Sequence, residues 1–173
     1  MTSPLFAALS ALMLTIALPQ AALAQEAAAD AAPTEQNISA QETPWQVNCT
    51  PGAEASQLDC SMVKSLVIGQ NRQVLAQAAI VAGDPYVLRI LVPHGMSLAA
   101  GLRVSVDGVE AATPVFRTSL QGGALAVSDV SAELEEALRA GGLLQIEGVQ
   151  NNGSALRMEM SLSGFAAAFD KLR

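Results

Sequence analysis

The chain has 173 residues, 51% of them hydrophobic and 3% aromatic, with 9 Lys plus Arg against 16 Asp plus Glu for a net charge of −7. That length sets an expectation of one domain with a sizeable core. The acidic balance repels nucleic acid and anionic lipid head groups, which argues against a DNA or RNA binder.

Residues 1–24 carry no charged side chain. An apolar run from Leu5 to Leu18 is broken by Pro19, and Ala22-Leu23-Ala24 then fits the small-x-small pattern of a signal-peptidase site. A secretory signal peptide over 1–24 is therefore predicted, cut after Ala24 to leave Gln25 at the mature N-terminus. Its n-region departs from the usual pattern in having no Lys or Arg. The rival is an uncleaved membrane anchor, but the run of 14 residues is short of the roughly 20 that cross a bilayer. No Cys sits just after the cleavage site, which argues against a lipoprotein. No later stretch is long and apolar enough for a stable membrane span.

Residues 25–43 are rich in Ala, Glu, Asp, Gln and Pro, with almost no large apolar side chain. Such a segment buries too little surface to offset the entropy of ordering. It is predicted to be a disordered, acidic, Ala-rich leader, serving as a tether or a plain tail. Asn37-Ile38-Ser39 is a glycosylation sequon that matters only on a eukaryotic secretory route.

A folded domain is predicted over 44–173. Trp45-Gln46-Val47-Asn48-Cys49 alternates, placing Trp45, Val47 and Cys49 on one face. A loop over Thr50–Gln57 leads to a strand over Leu58–Val67, with Cys60, Met62 and Lys64 on one side. Exported cysteines pair by default, so Cys49 and Cys60 are predicted to staple these strands. That closes a loop of about 12 residues, worth roughly 3 kcal/mol.

Gln73–Val81 follows, with Val74, Ala76, Ala78 and Ile80 on one face. Tyr86–Val92 is dense enough in apolar residues to suggest a central strand covered on both sides. Leu102–Val106 and Val109–Thr113 flank Asp107-Gly108, a type I′ hairpin dipeptide. Val115–Leu120 and Ala124–Val127 are further strands. A helix capped by Ser131 lines Leu134, Ala137 and Leu138 on one face and stops at Gly141-Gly142. A hairpin pairs Leu143–Val149 with Ala155–Leu162, and Phe165–Leu172 forms a short C-terminal helix or turn. Eight or nine short strands with few helices favour a sandwich.

Candidate chemistry is sparse. The one histidine, His94, sits in a turn with no partner identifiable by spacing, and both cysteines are expected to be oxidised. Ser61 and Lys64 occupy strand positions. Asp84, Asp107, Glu110 and Asp129 lie in or near turns, where Asp bonds to its own backbone. No catalytic, cofactor or metal residues are assigned.

Several stretches in fixed order carry a resemblance: Trp45–Cys49, Cys60-Ser61-Met62, Leu91–Leu98, Gly101–Gly108, Phe116-Arg117-Thr118 and Ser161–Ala168. Together they resemble the invasion-associated locus B (IalB) family of exported bacterial proteins. The resemblance implies a single-domain, immunoglobulin-like β-sandwich with one short internal helix and a short C-terminal helix. It implies a periplasmic, outer-membrane-associated or secreted protein, and it attaches no catalytic residues. Members often carry a second Cys pair after the Phe-Arg-Thr stretch. Here Ser119 and about Ala124 stand at those places, so one disulfide is expected and the loop near Gly122 should be more mobile. The expected function is a non-enzymatic interaction protein. The alternatives are a periplasmic enzyme or enzyme inhibitor whose site assembles only in three dimensions, and a small-ligand carrier.

Overall fold

The computed structural model describes residues 40–52 and 58–172. The expected signal peptide, its cleavage between Ala24 and Gln25, the expected leader up to residue 39 and residues 53–57 of the expected Thr50–Gln57 loop lie outside the described residues, while Thr50 and Pro51 of that stretch belong to a strand.

Among the described residues the chain forms eleven strands and two short helices. The first five strands are β1 (Gln41–Glu42), β2 (Gln46–Pro51), β3 (Leu58–Ile68), β4 (Gln73–Val81) and β5 (Val87–Val92). Then come β6 (Leu102–Val106), β7 (Val109–Ala112), β8 (Val115–Leu120), β9 (Gly123–Asp129), α1 (Ala132–Ala140), β10 (Leu143–Val149), β11 (Ala155–Ser161) and α2 (Phe165–Phe169). One sheet runs β1-β3-β4-β5-β9-β8, with β2 sharing the same edge of β3 as β1; the other runs β11-β10-β6-β7. All pairings are antiparallel.

The expected sandwich is present because period-two alternation gives each sheet one apolar face. Met62, Ile80, Leu88 and Ile90 from the larger sheet share a core with Val104, Leu144, Ile146 and Met160 from the smaller. Each such side chain contributes about 1.5–3 kcal/mol on full burial. In β11, Leu156, Met158 and Met160 are buried while Arg157 and Glu159 are exposed.

Three expectations need correction. Residues 40–43 fall within the expected leader, yet Gln41 and Glu42 pair with Val67 and Leu66, and Ala40 packs on the core. Val74 does not join its strand's inner face. The β3–β4 register shifts between Leu66 and Val67, leaving Leu75 without a cross-strand partner, and Val74 is 43% exposed. Finally, β5 is central between β4 and β9 but is not covered on both sides, because Arg89 is exposed and Val87 and Leu91 are only half-buried.

The hairpin at Asp107-Gly108 has φ of 50° and 83° at those residues, as a type I′ turn requires. Asp107 does not bond to its own backbone. Its carboxylate accepts the N–H groups of Gly142 (2.9 Å) and Leu143 (2.8 Å), joining this turn to the start of β10. At the start of α1 the Ser131 hydroxyl accepts the Leu134 N–H at 3.2 Å. A backbone hydrogen bond and the Ser131 hydroxyl hold the Glu133 carboxyl below its ordinary range. Leu134 and Leu138 are buried, and Phe165 and Phe169 of α2 stack at 5.6 Å. Tyr86 sits 4.8 Å from Phe169, so the two helices cap the end of the sandwich where β5 begins and β9 finishes.

Candidate functional site

At the other end, β5 runs out into Pro93-His94-Gly95 and β8 turns into β9. A groove of about 540 Å³ opens there, lined by His94, Met96, Leu98, Phe116, Arg117 and Ser119 among others. Leu98 and Phe116 also line a second groove of about 630 Å³, which continues along β8 past Val115 to Val149 and Arg103. The two form one trough between the exposed edge of β8 and the smaller sheet.

Its floor and walls follow from local structure. Met96 is buried (4%) and bridges to Gln150. A 3-10 turn over Leu98–Ala100 leaves Leu98 62% exposed. Val115 and Val149 are 50% and 38% exposed, so three large aliphatic side chains face water in one trough. The β8–β9 register shifts between Phe116 and Thr118, leaving Arg117 without a cross-strand partner. A bulge of this kind re-aims a side chain, here into the trough.

His94 gains partners that spacing did not reveal. Its Nε2 lies 3.4 Å from the Gln121 carbonyl and its Nδ1 lies 3.5 Å from Ser119 Oγ. With the proton on Nε2 donated to that carbonyl, Nδ1 can accept the Ser119 hydroxyl. No carboxylate lines this half of the trough. Among the described residues, no three His, Cys, Asp or Glu side chains gather as metal ligands.

Cys49 and Cys60 are direct cross-strand partners and are joined by a disulfide. Ser119 and Ala124 are likewise direct partners across β8 and β9. They therefore occupy a position like that of the existing bridge, on the wall of the trough.

Lys64, a strand residue on the same side as Cys60 and Met62, is only 4% exposed. Its Nζ lies 2.7 Å from a Glu42 carboxylate oxygen and donates to the Ser161 carbonyl, also at 2.7 Å. The other Glu42 oxygen accepts the Ser161 N–H at 2.9 Å. This closed triangle ties β1 and β3 in one sheet to β11 in the other. Trp45 lies beside it, with its ring centroid 6.0 Å from Lys64 Nζ and 5.2 Å from that of Phe165.

The fold and its sites define a disulfide-stapled, antiparallel β-sandwich domain with a solvent-open trough on one flank. Residues 45–173 match the family model described as Invasion associated locus B (IalB) protein, and the chain belongs to that family. It is similar to the invasion protein B homologues of Brucella abortus strain 2308 and of Brucella abortus biovar 1 strain 9-941. Each is 26% identical over 130 residues, covering 75% of this chain and 75% of the relative. Among solved structures it resembles invasion associated protein b from Bartonella henselae, with a TM-score of 0.65 and 24% identity over 74% of this chain and 89% of that one. That likeness supports the shared fold.

Proposed function

We propose that the chain is an exported, non-enzymatic interaction protein of the invasion-associated locus B type. In this proposal residues 1–24 are removed, Gln25 becomes the N-terminus, and the domain acts in the periplasm, at the outer-membrane surface or in the medium. One observation carries the reading. Two stretches that mark the family resemblance, Leu91–Leu98 and Phe116–Thr118, lie far apart in sequence and supply much of one open, partly apolar trough. Exposed aliphatic side chains clustered beside a free strand edge are a feature of recognition surfaces. The disulfide supports maturation in an oxidising compartment.

The test is made in the native host. Fractionation and N-terminal sequencing should find Gln25 as the first residue outside the cytoplasm. A pull-down from envelope material should recover a protein or surface partner, and a deletion strain should show a defect in host-cell invasion or envelope integrity. A cytoplasmic chain that retains residues 1–24 and free thiols would end the proposal.

A further inference from the structure

Within that trough, the edge of β8 offers a binding mode as well as a surface. β8 pairs only with β9, so its outward backbone N–H and C=O groups have no strand partner among the described residues. An unpaired edge is a template for an added strand.

We infer that the trough receives an extended, carboxylate-bearing peptide that adds as a strand to β8; this rests on the interaction-protein reading above. From Val115 to Ser119 the edge runs about 13 Å, the length of a peptide of four or five extended residues. Leu98, Val115 and Val149 supply aliphatic contacts at one end. Arg117 and His94 stand at the other, where no acidic side chain lines the wall.

The charges select the occupant. The protein as a whole carries −7. Arg103, in the other half of the trough, is already held by Glu110 and Glu147, which line the same wall. Arg117 has no ion pair among the described residues, and the bulge turns it into the trough. An unpaired guanidinium matches a carboxylate, which it can hold in bidentate fashion. A second copy fits less well. Pairing two β8 edges about a two-fold axis would set Arg117 against its own copy, with no carboxylate on this half of the trough to offset the two guanidinium groups.

The test uses the full exported chain and two synthetic peptides, Ac-Ile-Thr-Val-Ser-Glu-NH2 and its counterpart ending in Lys. NMR amide shifts and fluorescence anisotropy read the binding. The Glu peptide should bind about ten-fold tighter than the Lys peptide, the scale of one charge-assisted contact. Shifts should centre on Val115–Leu120. Arg117→Glu, at an exposed position, should reverse the preference, and Leu98→Asp should weaken the Glu peptide about ten-fold. Equal affinity for the two peptides, a preference unmoved by Arg117→Glu, or shifts elsewhere would overturn the inference. So would self-association through β8 that excludes the peptide. If neither peptide binds but an envelope partner is still recovered by pull-down, the trough assignment fails and the interaction reading stands. Loss of both removes that reading too.

Discussion

Replacing Glu42 with Ala tests whether the end of the leader is part of the folded domain. The substitution removes the carboxylate held 2.7 Å from the Lys64 ammonium and leaves that ammonium 4% exposed, with the Ser161 carbonyl as its remaining hydrogen-bond acceptor. Breaking a fully buried pair costs about 3–5 kcal/mol. Glu42 is itself 34% exposed, so water reaches part of the site. Solvent screening then lowers the expected loss to about 2 kcal/mol. For a domain of roughly 130 residues this is a fall in Tm of about 6–10 °C.

Urea unfolding can follow Trp45, the chain's single tryptophan, whose ring faces both Lys64 and Phe165. Lys64→Met should cost less than Glu42→Ala, because the charge it leaves alone, Glu42, is 34% exposed and still accepts the Ser161 N–H. The double variant should regain most of what Glu42→Ala loses. A Glu42→Ala stability change within about 0.5 kcal/mol, the size of a weak surface pair, would refute the reasoning.

Three further outcomes follow from the same geometry. Cys49→Ala/Cys60→Ala should lower unfolding stability by about 3 kcal/mol by releasing a short loop in the unfolded chain; a urea midpoint comparison checks it, and a negligible change would count against the staple. Ser119→Cys/Ala124→Cys should oxidise to a second bridge, since the two residues face each other across β8 and β9. Thiol titration and mass spectrometry read that pairing, with a gain of about 2 kcal/mol expected from loop closure. Gly123→Ala should destabilise by about 3 kcal/mol or more. Gly123 has φ of +151°, and an added Cβ would run into the Val92 carbonyl, so denaturation should show the loss before any effect on binding is measured.

The strands were legible wherever alternation was local and strict. Leu102–Val106 and Leu143–Val149 occupy the spans read from the sequence, and the Asp107-Gly108 turn follows from the positive φ that its two positions require. The pairing of Cys49 with Cys60 was legible because the two strands are neighbours in sequence. What failed was long-range. Composition marked Glu42 as leader because nothing near it in sequence shows a lysine buried 22 residues on or a Ser161 backbone 119 residues away. Alternation placed Lys64 on the inner face but could not name its counter-ion. His94 and Ser119 meet because β9 lies between β5 and β8, which depends on strand order rather than spacing. Arg117 enters the trough through a bulge, and a bulge interrupts the periodicity from which strands are read. Asp107 bonds across to the α1–β10 junction because that junction, not its own turn, presents unpaired N–H groups.

The ionic triangle at Glu42 also bears on where the domain should be cut for production. The stretch shared with relatives begins at residue 45, three positions after the acid that neutralises Lys64. A fragment started there would uncover the Leu66–Val67 part of the β3 edge, which β2 does not reach, and leave an uncompensated cation wedged between the two sheets. Starting a few residues before Gln41 keeps the counter-charge and the edge cover in a single polypeptide, and should separate a well-behaved sample from one that precipitates.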